Sequence, residues 1–155
     1  MTNLQRVLNF ETLVAASPAE AWSWITSLKG ISKEMAPYIH MSAPNGVEDL
    51  SSIAFVPGVP MFRSWITLFG VLPIDYSKLT LLSLNSGIGF VEQSPMGSMK
   101  LWRHERHVTP SGAGSIISDT LTFQPRFAGR LVYVIVRAFF SHRHRMLEKN
   151  LGKCV

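Results

Sequence analysis

From Val7 to Ala15 apolar and polar residues alternate loosely, with Leu8, Phe10, Thr12 and Val14 on one side, which predicts a half-buried opening strand. Ser17-Pro18-Ala19-Glu20 then marks a helix start. Ser17 can cap, Pro18 suits the first helical position, and Glu20 can reach back to the amide of the cap. Ala21, Trp22, Trp24, Ile25 and Leu28 supply the apolar residues of this short helix; Gly30 is expected to end it. Ser32 is expected to cap a second short helix limited by Pro37. Loops follow at Pro44-Asn45-Gly46 and Pro57-Gly58-Val59-Pro60.

Five strand-like runs come next: Ser64 to Val71, Ile74 to Leu84, Gly89 to Gln93, Lys100 to Val108 and Ile116 to Gln124. Leu72-Pro73, Asn85-Ser86-Gly87, Ser94-Pro95-Met96-Gly97 and Ser111-Gly112-Ala113-Gly114 separate them. Turns at that spacing favour an antiparallel sheet. The last stretch, Ala128 to Gly152, carries two contrary patterns. Leu131-Val132-Tyr133-Val134-Ile135-Val136 is β-branched enough for a strand. Its length, and the helix-forming run Arg145-Met146-Leu147-Glu148-Lys149, predict a long terminal helix instead.

The hairpin of the last two runs holds the most chemistry. Alternation puts Trp102, His104, Arg106 and Val108 on one face of the first strand, and Ile117, Asp119, Leu121 and Phe123 on one face of the second. A tight turn about Gly112-Ala113 sets Arg106 opposite Asp119 and His104 opposite Leu121. Because the neighbours Trp102, Val108, Leu121 and Phe123 are apolar, this face is expected to be buried. An unpaired buried charge is expensive. A guanidinium gripping a carboxylate through two hydrogen bonds compensates for it. Two readings follow: the pair closes a polar gap in the core, or Arg106, His104 and Asp119 form the polar end of a pocket.

Composition narrows the class. The chain has 155 residues, of which 46% are aliphatic or aromatic and only 16% charged. One domain spanning 1–155 with a real core is expected, and the apolar excess is available for a cavity, an interface or a membrane-facing patch. The longest apolar stretch, Leu131 to Phe140, is interrupted by Arg137 and falls short of the ~18–20 residues of a membrane span. Met1 to Arg6 lacks the apolar core of a signal peptide. The single cysteine, Cys154, excludes an internal disulfide. A cytoplasmic protein is expected. The net charge of +5 gathers toward the C-terminus at Arg126, Arg130, Arg137, Arg143, Arg145, Lys149 and Lys153. No nucleic-acid motif accompanies it, so a solvated helix face is its simplest reading.

The order of these elements resembles that of a known superfamily. Ser17-Pro18-Ala19-Glu20-Ala21-Trp22 follows an opening strand. Trp102-x-His104-x-Arg106 precedes Asp119 in the next strand, and the terminal helix carries Phe140-x-His142-Arg143-His144. Together they resemble the SRPBCC superfamily of START, birch-pollen-allergen-like and polyketide-cyclase proteins. The likeness runs from about Leu8 to Gly152 and is nearest to bacterial members of unassigned activity, with Phe69-Gly70-Val71-Leu72-Pro73 as a further shared element. It implies an α+β helix-grip fold, a curved antiparallel sheet wrapped on the long C-terminal helix with two short helices after the first strand. It also implies an internal cavity for a hydrophobic or amphipathic molecule of lipid, polyketide or aromatic type.

On that fold the cavity walls are expected at Trp24, Trp65, Phe90, Trp102, Leu121, Phe123, Ile135 and Phe139, with His104, Arg106 and Asp119 as polar contacts. A carrier or sensor is the first reading. A cyclase or dehydratase using His104 for proton transfer, helped by Arg106 and Asp119, is the alternative. A third reading is a membrane-surface or protein-interaction module, including a homodimer, built on the apolar terminal helix beside Arg143 and Arg145. No cofactor or metal is called for: His104 and His107 face opposite sides of a strand, and His142 and His144 point about 200° apart on a helix.

Overall fold

A computed structural model describes residues 4–153; the expectations resting on Cys154 and on the first three residues fall outside them. The chain opens with β1 (Arg6–Val14), α1 (Pro18–Thr26) and α2 (Leu28–Met35). Then come β2 (Ile39–Met41), β3 (Phe62–Leu68), β4 (Leu72–Leu79), β5 (Leu81–Asn85) and β6 (Gly89–Gln93). The hairpin β7 (Met99–Ser111) and β8 (Gly114–Pro125) precedes the 23-residue α3 (Gly129–Leu151), roughly 35 Å long.

The strands pair antiparallel in the orders β1-β8-β7-β6-β5 and β2-β3-β4. The run read from sequence as one strand, Ile74 to Leu84, is two: β4 and β5 meet at Thr80, whose amide is held by the Ser94 hydroxyl. The amide of Lys78 bonds to the carbonyl of Pro95 and Ser77 bridges Met96, so the two sheets continue into one curved surface. The three-residue β2 had no pattern of its own to announce it. Partners along β7 and β8 are Trp102 with Phe123, His104 with Leu121, Arg106 with Asp119 and Val108 with Ile117. This is the register read from the turn at Gly112-Ala113.

Helix α1 starts in the expected capping box, Ser17 accepting from the Glu20 amide while the Glu20 carboxylate accepts from the Ser17 amide. Its end differs from expectation. Ser27 closes α1 and caps α2 by accepting from the Gly30 amide, so Gly30 lies inside α2 and Ser32 caps nothing. Gly30 is there for close approach, since a Cβ at that position would lie 2.2 Å from the Trp24 carbonyl oxygen.

Helix α3 forms despite its β-branched start because its buried residues, Val136, Phe140, Arg143, His144 and Leu147, recur with the helical period. Tertiary burial of one face supplies most of the stability of such a helix. The core has two apolar clusters. One gathers Val14, Ala16, Ala21, Trp22, Ile25, Val108, Ile117 and Leu147 under α1. The other gathers Leu8, Met99, Leu121, Phe123, Val136 and Phe140 under the first half of α3.

Replacing Gly30 with alanine tests the close approach. Helix propensity alone would stabilise that variant by up to about 1 kcal/mol. The overlap with the Trp24 carbonyl should instead lower stability by about 1–3 kcal/mol in urea denaturation. A variant as stable as the parent would refute the packing account.

Candidate functional site

Between the two apolar clusters lies a polar layer. Strand alternation brings His104 and Arg106 from β7 and Asp119 from β8 onto the inner face, and all three are buried. The Asp119 carboxylate receives two parallel hydrogen bonds from Arg106, Nε to Oδ1 and Nη2 to Oδ2, both 2.7 Å. His104 Nε2 meets Oδ1 at 2.8 Å and His144 Nε2 meets Oδ2 at 2.7 Å. An ionised carboxylate only accepts, so both histidines carry a proton on Nε2. Four donors thus saturate one carboxylate.

The layer extends to α2 and back to α3. Arg106 Nη1 donates to both oxygens of the fully buried Glu34, at 3.0 and 3.2 Å. Arg143 donates to Glu34 Oε1 through Nε and Nη2, at 3.3 and 3.2 Å, with its guanidinium over the Phe140 ring. Two guanidinium groups therefore balance two carboxylates. Toward β1, His144 Nδ1 meets Thr12 Oγ1 at 2.7 Å. Toward β6, His104 Nδ1 lies 3.9 Å from Glu92, whose other oxygen accepts from Ser94. The His104 ring is flanked edge-on by Phe90 and Phe140.

Charge and burial oppose each other in this layer. Burial alone would push the Asp119 carboxyl up, but the charge of Arg106, then that of His104, and their hydrogen bonds hold it well below the usual carboxylate range. Burial likewise disfavours the Arg106 cation, yet Asp119 and Glu34 raise its pKa above the ordinary arginine value. The pair stays ionised because each charge is the solvent of the other.

Of the cavity walls expected from sequence, Trp102, Leu121, Phe123 and Phe139 meet in the second apolar cluster, and Phe90 stands beside His104. Three do not join them. Trp65 alternates with buried Ser64 and Ile66, which turns it to the outer side of β3 beside Tyr76 and Arg63. Ile135 is 55% exposed on the face of α3 away from Val136 and Phe140. Trp24 packs on the other cluster. Trp65 and Trp24 instead border open surface depressions of about 380 Å³ and 610 Å³.

Sequence reasoning missed Glu34, Arg143 and His144. Arg143, taken with its neighbours for a solvated charge, is buried on Glu34. A hint was present: Phe140, Arg143, His144 and Leu147 stand at i, i+3, i+4 and i+7, so two polar residues interrupt the stripe that must face the sheet. Nothing local distinguishes Glu34 from a solvated helix residue.

A family model described as "Domain of unknown function (DUF8410)" matches residues 12–151. The chain belongs to this family. No curated protein matches it by sequence. Solved structures share its fold at low identity. A START superfamily protein from Mycobacterium smegmatis is 11% identical with a TM-score of 0.67, covering 94% of this chain and 96% of its own. The Zhui aromatase/cyclase from Streptomyces sp. R1128 is 10% identical with a TM-score of 0.68, the coverage being 96% and 94%. Ara h 8.0201 is 12% identical with a TM-score of 0.65, the coverage being 96% and 98%. The DUF8410 chain therefore has the helix-grip fold of the SRPBCC superfamily.

Asp119→Asn would leave Arg106 short of a counter-charge and should cost about 3–5 kcal/mol in chemical denaturation. The acid limb carries a second expectation. In the unfolded chain Asp119 takes up its proton near an ordinary pKa of ~3.9, whereas the folded state resists it to much lower pH. Its contribution is therefore complete above about pH 5 and is lost as pH falls below about 4. A stability–pH curve measured on Asp119→Asn should be flatter in that window; an unchanged acid limb would contradict the assignment.

Proposed function

We propose that this protein binds a hydrophobic or amphipathic small molecule without transforming it, as a carrier or sensor. One observation carries the reading. The second apolar cluster has a sealed floor of Leu121, Phe123 and Phe140, but the groups packed against it are only half buried: Phe10, Met96, Trp102, Val132, Tyr133 and Phe139. Large apolar side chains that meet both core and water are what a greasy ligand covers. Met96 and Met99 add deformable side chains at the same place. The site is thus at the Trp102 end of the sheet, under the first turns of α3, and the fold shared with the START protein and Ara h 8.0201 is consistent with it.

The cyclase reading draws support from the fold of the Zhui aromatase/cyclase. It needs a proton-transfer group facing the substrate. His104 has Nε2 committed to Asp119, an aromatic ring on either side and a side chain 4% exposed. That arrangement supports a group tying β7 to β8 within the polar layer more than an acid or base.

Mass spectrometry of an organic extract of the purified protein should reveal a co-purified apolar compound. Titration with anilinonaphthalene sulfonate should show saturable binding that perturbs Trp102 emission. Phe139→Gln and Trp102→Leu, checked for folding by circular dichroism, should each weaken that binding by about tenfold, the loss expected from ~1.4 kcal/mol of apolar contact. An empty extract together with no saturable probe binding would refute the proposal. Turnover of a poly-β-keto thioester abolished by His104→Gln would replace it with the enzymatic reading.

A further inference from the structure

We infer that the outer face of α3, with the adjoining tip of the β3–β4 hairpin, docks on an anionic lipid surface. This stands apart from the ligand site, because it rests on side chains that face away from the core. On the first turns of α3, Leu131 and Val134 are 61% and 60% exposed, and Ile135 is exposed to a similar degree. With Ala138 they share the face opposite Val136, Phe140 and Leu147. Phe127, just ahead of the helix, is equally uncovered.

The strip does not end with the helix turn. One turn beyond Ala138, His142 donates from Nε2 to the Ala36 carbonyl and its ring lies 4.9 Å from that of Tyr38. Tyr38 in turn packs edge-on against Phe69 at 6.2 Å, and the Phe69 amide bonds to the Tyr38 carbonyl. Phe69 begins the hairpin tip, where Val71 is 81% exposed and Leu72 is exposed beside it. From Leu131 to His142 the helix alone spans roughly 16 Å. A monomer seldom leaves so extended an apolar strip uncovered without a use for it.

Charge decides what covers it. From residue 120 to residue 147 the chain carries five arginines and no acidic residue. Arg143 is spent on Glu34 inside the molecule. Arg126, Arg130, Arg137 and Arg145 are exposed and take part in none of the ion pairs found among the described residues. Arg130, Val134 and Arg137 recur at i, i+4 and i+7, so the basic row runs along the edge of the apolar one. An apolar row flanked by unpartnered arginines complements acyl chains bordered by anionic headgroups. A second copy of the same patch would set arginines against arginines.

Sedimentation with phosphatidylcholine vesicles, with and without phosphatidylglycerol, tests this on the full chain. The protein should partition onto the phosphatidylglycerol vesicles at low salt, stay in solution with phosphatidylcholine alone, and be released as salt rises. Arg130→Gln with Arg137→Gln should weaken partitioning roughly thirtyfold, from ~1 kcal/mol per basic residue near the surface. Leu131→Gln with Ile135→Gln should weaken it by at least about tenfold. All four positions are exposed, so circular dichroism should match the parent, and probe binding at the Trp102 site should persist. No partitioning at low salt, or partitioning untouched by both double variants, would overturn the inference. So would a vesicle-independent dimer in ultracentrifugation that Leu131→Gln with Ile135→Gln dissolves, since a second copy would then own the face.

Discussion

Everything in the middle of this molecule is arranged around one carboxylate. Asp119 is buried on the inner face of β8, and a buried carboxylate without partners is prohibitively costly. It is tolerated because Arg106, His104 and His144 bring four N–H groups to its two oxygens. Those donors come from β7 and from α3, so satisfying the charge and seating the helix are the same event. Glu34 does the equivalent on the other side, holding Arg106 and Arg143 and so binding α2 to sheet and helix. A hydrophobic contact permits a helix to slide or rotate; a saturated set of charge-assisted hydrogen bonds does not.

This layer also divides the interior. Along the β7–β8 face, Val108 and Ile117 lie to one side of Arg106 and Asp119, with Trp102 and Phe123 to the other. The first side is closed by α1 into a sealed core. The second is closed only by the early turns of α3 and keeps half-exposed aromatic groups. The saturated polar layer thus separates a closed apolar end from one bounded by half-exposed apolar groups. The histidine, arginine and aspartate that a search for catalysis would select are hydrogen-bonded to one another within this layer.

The outer side of α3 follows a different logic. Its early apolar residues are left uncovered while its inner residues are satisfied, and its exposed Arg130 and Arg137 enter none of the ion pairs among the described residues. No helix among the described residues is long and apolar enough to cross a membrane, and a peripheral contact needs none. The helix thus has two distinct faces, one committed to the polar layer and one available to a surface.

What the sequence determined by itself is whatever depends on neighbours in the chain. The capping box of α1, the alternation of β7 and β8, their register about Gly112-Ala113, and hence the Arg106–Asp119 pair all follow from local spacing and turn geometry. Tertiary structure decided the rest. Glu34 and His144 reach Arg106 and Asp119 across 72 and 25 positions of the chain, and no local pattern encodes such a meeting. The side of the sheet given to Trp65, and the face of α3 given to Ile135, depended on which neighbouring element arrived to cover them. Periodicity specifies that an element has two faces; only packing specifies which of them meets the core.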